Sequence, residues 1–255
     1  VSGVEAIRAA MLEGIPHGFL GRRGGVSKGD CAGLNTGWGS GDDRAAIAEN
    51  RRRAIASVAP GAQLVTVHQI HSAEALYAAV PWPDDARPHA DAMVTDRPGL
   101  ALGILTADCT PVLFADREAN VIGAAHAGWK GALGGVIEAT LAAMERIGAD
   151  RARILAAIGP VIARKSYEVD DAFARRFAEA DPENEGFFSP GREGHHQFDL
   201  EAYVLARLAQ AGVTRAEALG LDTYSDPERF FSYRRATHKG QADYGRQISL
   251  IALPG

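Results

Sequence analysis

A chain of 255 residues with 46% hydrophobic content holds enough apolar material for one large core or two small domains. A net charge of −5, with no sustained basic stripe, excludes nucleic acid as the main partner, and no apolar run reaches the roughly 18 residues of a membrane-spanning helix. The two cysteines, Cys31 and Cys109, make neither a disulfide framework nor a CxxC pair, so a reducing, cytoplasmic home is expected.

The opening run VSGVEAIRAAMLEGIPHGFL lacks a basic region followed by an apolar one and does not read as a secretory signal. It ends in an expected strand over 16–20. The Gly- and Arg-rich run GRRGGVSKGDCAGLNTGWGSGDD follows. Arg22 or Arg23 there can grip an anion with a planar fork, or merely decorate a loop; the P-loop pattern is lacking. A helix is expected over 43–58, with Arg51, Arg52 and Arg53 on a solvated face. Strands are expected over 63–68, 75–80, 92–95, 100–106, 111–115, 121–125 and 154–158. Several are near-continuous apolar runs, which suits strands covered on both faces. PWPDDARPH, at 81–89, reads as a rigid polar loop. Further helices are expected over 136–147, 170–179 and 200–211, the last with Asp199 as N-cap and Gly212 as its stop. The segment 181–197 reads as a polar loop in which His195 and His196 face solvent. Strands over 218–221 and 248–252 complete the pattern. Between them, Arg234, Arg235, Lys239 and Arg246 interleave with Phe230, Phe231 and Tyr233. That cluster is either a substrate wall or an amphipathic edge strand. The mixture implies a single domain over 1–255 of the α/β (mixed α+β) class: a mixed β-sheet core with helices on both faces, a layered sandwich.

The run VIGAAHAGWKGALGGVIEATLAAM is the most informative stretch. It reads as a strand ending near His126, a Gly-rich loop over 127–135, and then a helix with apolar periodicity. A strand end beside a loop that opens a helix is where open α/β sheets bind ligands. Cys109 and His71 also sit at expected strand ends. Two histidines and a cysteine make a three-ligand site with an open fourth position, a set that zinc accepts and that copper binds at least as well. The alternative is a buried small cysteine and two satisfied histidines. His68 competes with His71, because on a strand the two point to opposite sides. Asp108 can orient a ligand or cap a turn through its own backbone.

The chain resembles the bacterial laccase-domain proteins, also called polyphenol oxidases or peptidoglycan editing factors. The resemblance rests on RRGGVS (Arg22–Ser27), LNTG, GDD followed by ENR, QIH, the long run from Ala90 to Asp116 that contains ADC, HAGWKG, IGP, SYEV, FDL and FFSYRR. It implies that His71, rather than His68, joins Cys109 and His126 as metal ligands, with zinc or copper between them. It also implies a monomer acting on purine nucleosides (adenosine, inosine, guanosine, methylthioadenosine) and phosphate, with adenosine deamination beside phosphorolysis. The expected catalytic set is His71, Cys109, His126 and Asp108, and the candidate substrate contacts are Arg22, Arg23, Asn35, Arg234 and Arg246. Two departures from the family pattern, Leu221-Asp222-Thr223 for the usual Cys-Thr and Tyr244-Gly245-Arg246 for Thr-Gly-Arg, fall where the resemblance implies pocket-lining residues that bear on base preference.

Three other functions compete. A copper phenol oxidase is one, although eight histidines with no HxH pair do not make a four-copper centre. A thiol hydrolase editing peptidoglycan precursors, with Cys109 as nucleophile and His126 as base, is the second. A non-enzymatic nucleotide-binding module is the third.

Overall fold

The computed structural model describes residues 3–253. Two sheets form its centre. One has five strands in the order β1 (Ala6–Ile7), β2 (His17–Leu20), β14 (Gln247–Ala252), β6 (Leu100–Thr106) and β3 (Gln63–Thr66). The other has six: β13 (Arg215–Ala218), β9 (Leu155–Ile158), β7 (Thr110–Asp116), β8 (Val121–Ala127), β5 (Ala92–Thr95) and β4 (Ala75–Tyr77). Both mix parallel and antiparallel pairs.

The alternation of side chains turns these sheets into layers. In β7 and β8, Leu113, Ala115, Ile122 and Ala124 share a core with Leu102 and Ile104 of β6, between the sheets. Val112, Phe114, Val121 and Ala125 point the other way. There they pack against α3 (Val136–Arg146) and α5 (Leu200–Gln210) through Ile137, Leu141, Met144, Val204 and Leu208. The outer face of the five-stranded sheet, with Leu20, Ile248 and Leu250, is covered by Ala54 and Val58 of α1 (Arg44–Val58). The order helix–sheet–sheet–helix is the expected layered sandwich. It explains the continuous apolar strands, since β6, β7 and β8 are buried along their whole length.

The caps expected at Asp199 and Gly212 hold, and Asp43, expected inside its helix, is a cap as well. Asp43 accepts from the Ala45 N–H, Asp199 accepts from the Ala202 N–H, and Gly212 takes a φ of 90° after α5. Four expectations about secondary structure are corrected. The segment 127–135 is largely a short helix, α2 (Trp129–Gly134), which Gly128 opens and left-handed Gly135 closes. The strand near 218–221 lies earlier, at β13, whose ladder with β9 ends at Ala218 opposite Ile158, the last residue of β9. The loop over 181–197 contains two strands, β11 (Phe188–Pro190) and β12 (His195–Phe198). These join β10 (Glu168–Asp170) in a small third sheet beside α4 (Asp171–Ala180). His195 and His196 are therefore half-buried on a strand, and His196 pairs with Asp171 at 2.8 Å. Finally, the aromatic and basic run near the C-terminus is no edge strand, since Ser232 caps α6 (Tyr233–His238) there. Arg51 also leaves its expected solvated face. It is buried, bonded to the Thr36 carbonyl, Thr66 and Asp84.

Candidate metal centre

His126 is the penultimate residue of β8 and lies on the face turned toward the other sheet, in step with Ile122 and Ala124. Its backbone N–H donates to the Asp91 carbonyl at 2.7 Å, extending the β5–β8 ladder by one rung. Its ring Nδ1 lies 2.8 Å from Asp91 Oδ1. The other oxygen of that carboxylate accepts from the Ile70 N–H (3.1 Å), the Ser72 N–H (2.6 Å) and the Ser72 hydroxyl (2.9 Å). His71 sits between those two donors with a left-handed φ of 61°. One fully buried carboxylate therefore fixes the His126 ring and the turn that presents His71.

Cys109 immediately precedes β7, next to Asp108, whose φ is 88°. Three non-glycine residues among those described have positive φ, and two of them flank or belong to this centre. Such strain persists only where the surroundings over-determine it. The Cys109 Sγ is 3.9 Å from His71 Nε2, and the His71 and His126 ring centroids are 4.7 Å apart. One ligand atom from each of His71, Cys109 and His126 falls within 4.8 Å of the others. Among the described residues this is the one such group of three or more potential ligands. Thiolate and imidazole donors at that separation fit a single zinc- or copper-sized ion. Gly128 makes the approach feasible, because a Cβ there would lie 2.8 Å from the His71 ring and 3.0 Å from the Cys109 sulfur. His126 is buried, Cys109 partly so, and His71 exposed, so the cluster is closed on the protein side and open on the other.

The electrostatics follow from that geometry. Burial opposes the Cys109 thiolate, but the His126 and His71 rings outweigh it and bring the thiol down to about 7. Burial likewise opposes the His126 imidazolium, while the Cys109 thiolate and Asp91 lift the ring to about 9. Asp91 is held down at about 2, chiefly by His126 and Ser72 acting against its burial.

The remaining candidates divide. Asp108 touches neither histidine. It accepts from the Thr223 hydroxyl (2.7 Å) and the Arg234 N–H (2.6 Å), and burial raises its pKa. Two cavities meet at the cluster, sharing His71, Ala107 and Cys109. Arg234 lines the larger, over the Tyr167 ring, and Arg246 lines the smaller, over the Tyr244 ring. Asn35 is fully buried and works indirectly, its side chain accepting from the Gly37 and Arg246 N–H groups. Arg22 and Arg23 line neither cavity. Arg22 spends its guanidinium on the Ala32 and Pro227 carbonyls, and Arg23 reaches Glu5 and the Glu228 carbonyl. His68 lines the smaller cavity but stacks near His89, outside the donor cluster. Sequence reasoning missed Asp91, because an aspartate ahead of an apolar strand reads as an ordinary turn residue. It also missed Thr106, Arg87 and Tyr167 as cavity walls.

Residues 16–254 match the family described as multi-copper polyphenol oxidoreductase laccase. The chain is 41% identical over 256 residues to a purine nucleoside phosphorylase of Deinococcus radiodurans, covering 99% of this chain and 94% of that one. It is 41% identical over 237 residues to purine nucleoside phosphorylase ORF3 of Streptomyces griseus, covering 92% and 95%. Among solved structures, the Neisseria meningitidis protein NMB0706 superposes with a TM-score of 0.88 at 33% identity, covering 99% of both chains. YlmD from Geobacillus stearothermophilus does so at 0.90 and 28%, covering 100% and 97%. With a shared fold, a match over nearly its whole length and this identity to its relatives, the chain belongs to the laccase-type multi-copper polyphenol oxidoreductase family.

Proposed function

We propose that this protein is a zinc-dependent purine nucleoside phosphorylase, a cytoplasmic monomer that cleaves adenosine, inosine, guanosine or methylthioadenosine with phosphate and deaminates adenosine as a side reaction. The observation that carries the reading is the His71–Cys109–His126 cluster at the meeting point of two cavities, in a chain whose relatives are named purine nucleoside phosphorylases. When bound there, zinc supplies Lewis acidity. The protein's own groups supply the rest. Asp91 holds the Nδ1 side of His126, which leaves Nε2 toward the cluster. Gly128 leaves room for both His71 and Cys109. Aromatic side chains of Tyr167, Phe173 and Trp129 form one wall of the larger cavity, a surface suited to a purine. The family's multi-copper description fits less well, since one three-ligand group among the described residues does not accommodate several coppers. The test is turnover of adenosine or inosine by zinc-loaded protein, with and without phosphate. Ribose 1-phosphate and free base are expected only with phosphate; no loss of any purine nucleoside refutes the reading.

A second reading has its own observation. Cys109, His126 and Asp91 stand in the order nucleophile, base and orienting carboxylate, with the thiol lowered to about 7. A cysteine hydrolase would use them without metal. Activity that survives exhaustive chelation and is abolished by Cys109 alkylation favours it.

A further inference from the structure

The two cavities differ in chemistry as well as size. The smaller, of about 300 Å³, is lined by Arg87, Arg246 and the imidazoles of His68, His71 and His126, and by no carboxylate. The two carboxylates next to its walls are engaged elsewhere and do not line it: Asp84 pairs with Arg51 at 3.0 Å, and Asp91 lies behind His126 on its Nδ1 side. Arg87 and Arg246 each give one N–H to a carbonyl, of Asp84 at 2.8 Å and of Tyr244 at 3.3 Å, and two other donors there have no partner. Thr106 lines the cavity at 3% exposure, and its buried hydroxyl has no hydrogen-bond partner among the described residues. The same holds for the indole N–H of Trp38, whose ring has the Arg44 and Arg51 guanidiniums within about 5.5 Å. A buried polar group without a partner is costly, and a recurrent reason for it is a ligand that completes the bond. Glycines at 37 and 39 let backbone come close to whatever sits there.

The larger cavity, of about 570 Å³, is built otherwise. Tyr167, Phe173, Trp129 and Tyr233 supply aromatic surface. Two of its three arginines are answered by an acid or a carbonyl, and the third lies over an indole: Arg192 pairs with Glu168 at 2.8 Å, Arg234 donates to the Glu168 carbonyl, Arg176 sits over the Trp129 ring, and Asp108, Glu168 and Asp170 also line the wall. A dianion would meet carboxylates there, whereas a neutral heterocycle with a ribose would find stacking faces and mixed polar groups.

We propose that the smaller cavity is the subsite for inorganic phosphate and the larger one receives the nucleoside, so that the two substrates meet over His71 and Cys109, which both cavities share. This rests on the phosphorylase reading and adds to it where each substrate enters and which residues discriminate them. The chemistry balances with no other reactant. An oxygen of hydrogen phosphate forms the bond to ribose C1′. The C1′–N9 bond breaks with its electron pair passing to the purine, and the proton carried by hydrogen phosphate ends on the base.

The test is a split of kinetic constants, joined to direct titration of inorganic phosphate. Arg87→Gln, Arg246→Gln and Thr106→Val should each raise the KM for phosphate and weaken calorimetric phosphate binding, roughly tenfold or more for the arginines and severalfold for the threonine. The nucleoside KM should stay within about twofold. Tyr233→Leu, on the exposed rim of the larger cavity, should do the reverse. Thr106→Val also guards against misfolding. It removes an unpartnered hydroxyl at constant shape, so its thermal midpoint should match or exceed the wild type. The proposal is overturned if phosphate binding is the same in all three variants, or if they raise the nucleoside KM instead. If wild-type protein releases no ribose 1-phosphate, the phosphorylase reading fails, while the phosphate titration of the same variants still decides whether the anion site exists.

Discussion

Asp91→Asn is the sharpest probe of the centre, because it changes one atom and forces a choice between two hydrogen-bonding demands. Asp91 Oδ2 accepts three bonds, from the Ile70 N–H, the Ser72 N–H and the Ser72 hydroxyl, while Oδ1 faces His126 Nδ1. All of these are at a residue with no exposed surface. An asparagine has one acceptor oxygen, and the three donors of the His71 turn outbid the single ring nitrogen for it. The amide NH2 is then turned toward His126 Nδ1 and must donate to it. That places the ring proton on Nε2, the nitrogen that faces Cys109 and His71, and a protonated nitrogen cannot ligate a metal. The alternative orientation leaves the two backbone N–H groups facing an NH2, at about 1–3 kcal/mol for each stranded donor. Loss of such an orienting carboxylate typically lowers metal affinity about 10- to 100-fold, or roughly 1.4–2.7 kcal/mol. Competition of the folded variant with a chromophoric zinc chelator measures this directly, and near-native circular dichroism shows that the fold survives. Zinc affinity within about twofold of wild type, in a folded Asp91→Asn protein, would refute the reasoning.

Replacing His71, Cys109 or His126 singly by Ala should each reduce bound zinc steeply in elemental analysis, and near-stoichiometric zinc in all three would sink the shared site. Alkylation should label Cys109 slowly until a chelator is added, whereas Cys31 should stay silent in both states; it is buried in a 3-10 turn and burial pushes its thiol up to about 11. Rapid labelling of Cys109 in zinc-replete protein would favour the cysteine hydrolase instead. Gly128→Ala should lower zinc content more than stability, because its methyl group meets His71 and the Cys109 sulfur rather than strained backbone. Asp116, buried and accepting from Arg153 and the Asp150 N–H, has a carboxyl held below its ordinary value by those partners against its burial. A depressed carboxylate contributes stability above its unfolded pKa near ~4 and loses it as pH falls. The roughly 1–3 kcal/mol cost of Asp116→Asn, read by urea unfolding, should therefore shrink below about pH 4.

The layered fold was legible because its strands are apolar along their whole length. Runs such as LALGILT and TPVLFAD admit no solvated face, so two covering layers follow from sequence alone. A helix start was legible where a capping residue stood at the boundary, as at Asp199. What failed was short and context-made. The glycines of AGWKGALGG mask α2, whose turns are held by contact with β8 and α5 rather than by propensity. The strand β12 has polar residues because it is the middle of a small sheet in which three of its four residues are only half-buried, and an isolated pair of histidines gives no periodicity to read.

The three donors of the candidate centre were named from sequence, His71 over His68 through the family resemblance alone, but what holds them was not, and strand register explains the difference. In β7 and β8, Thr110 lies opposite Ala127 and Pro111 opposite His126, which puts Cys109 just past the end of that ladder. In β5 and β8, Ala92 lies opposite Ala125, which puts Asp91 beside His126. Three residues distant in sequence thus share one end of two adjacent ladders. Nothing local encodes this; it is set by the burial of Val112, Phe114, Val121 and Ala125 against the helices and of Leu113, Ile122 and Ala124 against the other sheet. A slip of β8 by one residue would invert both apolar faces and carry His126 from the inter-sheet side to the helix side. The same core packing that makes the slip costly therefore holds the ligands in place, and the site's geometry inherits the stability of the two-sheet core rather than that of the loops that carry His71 and Cys109.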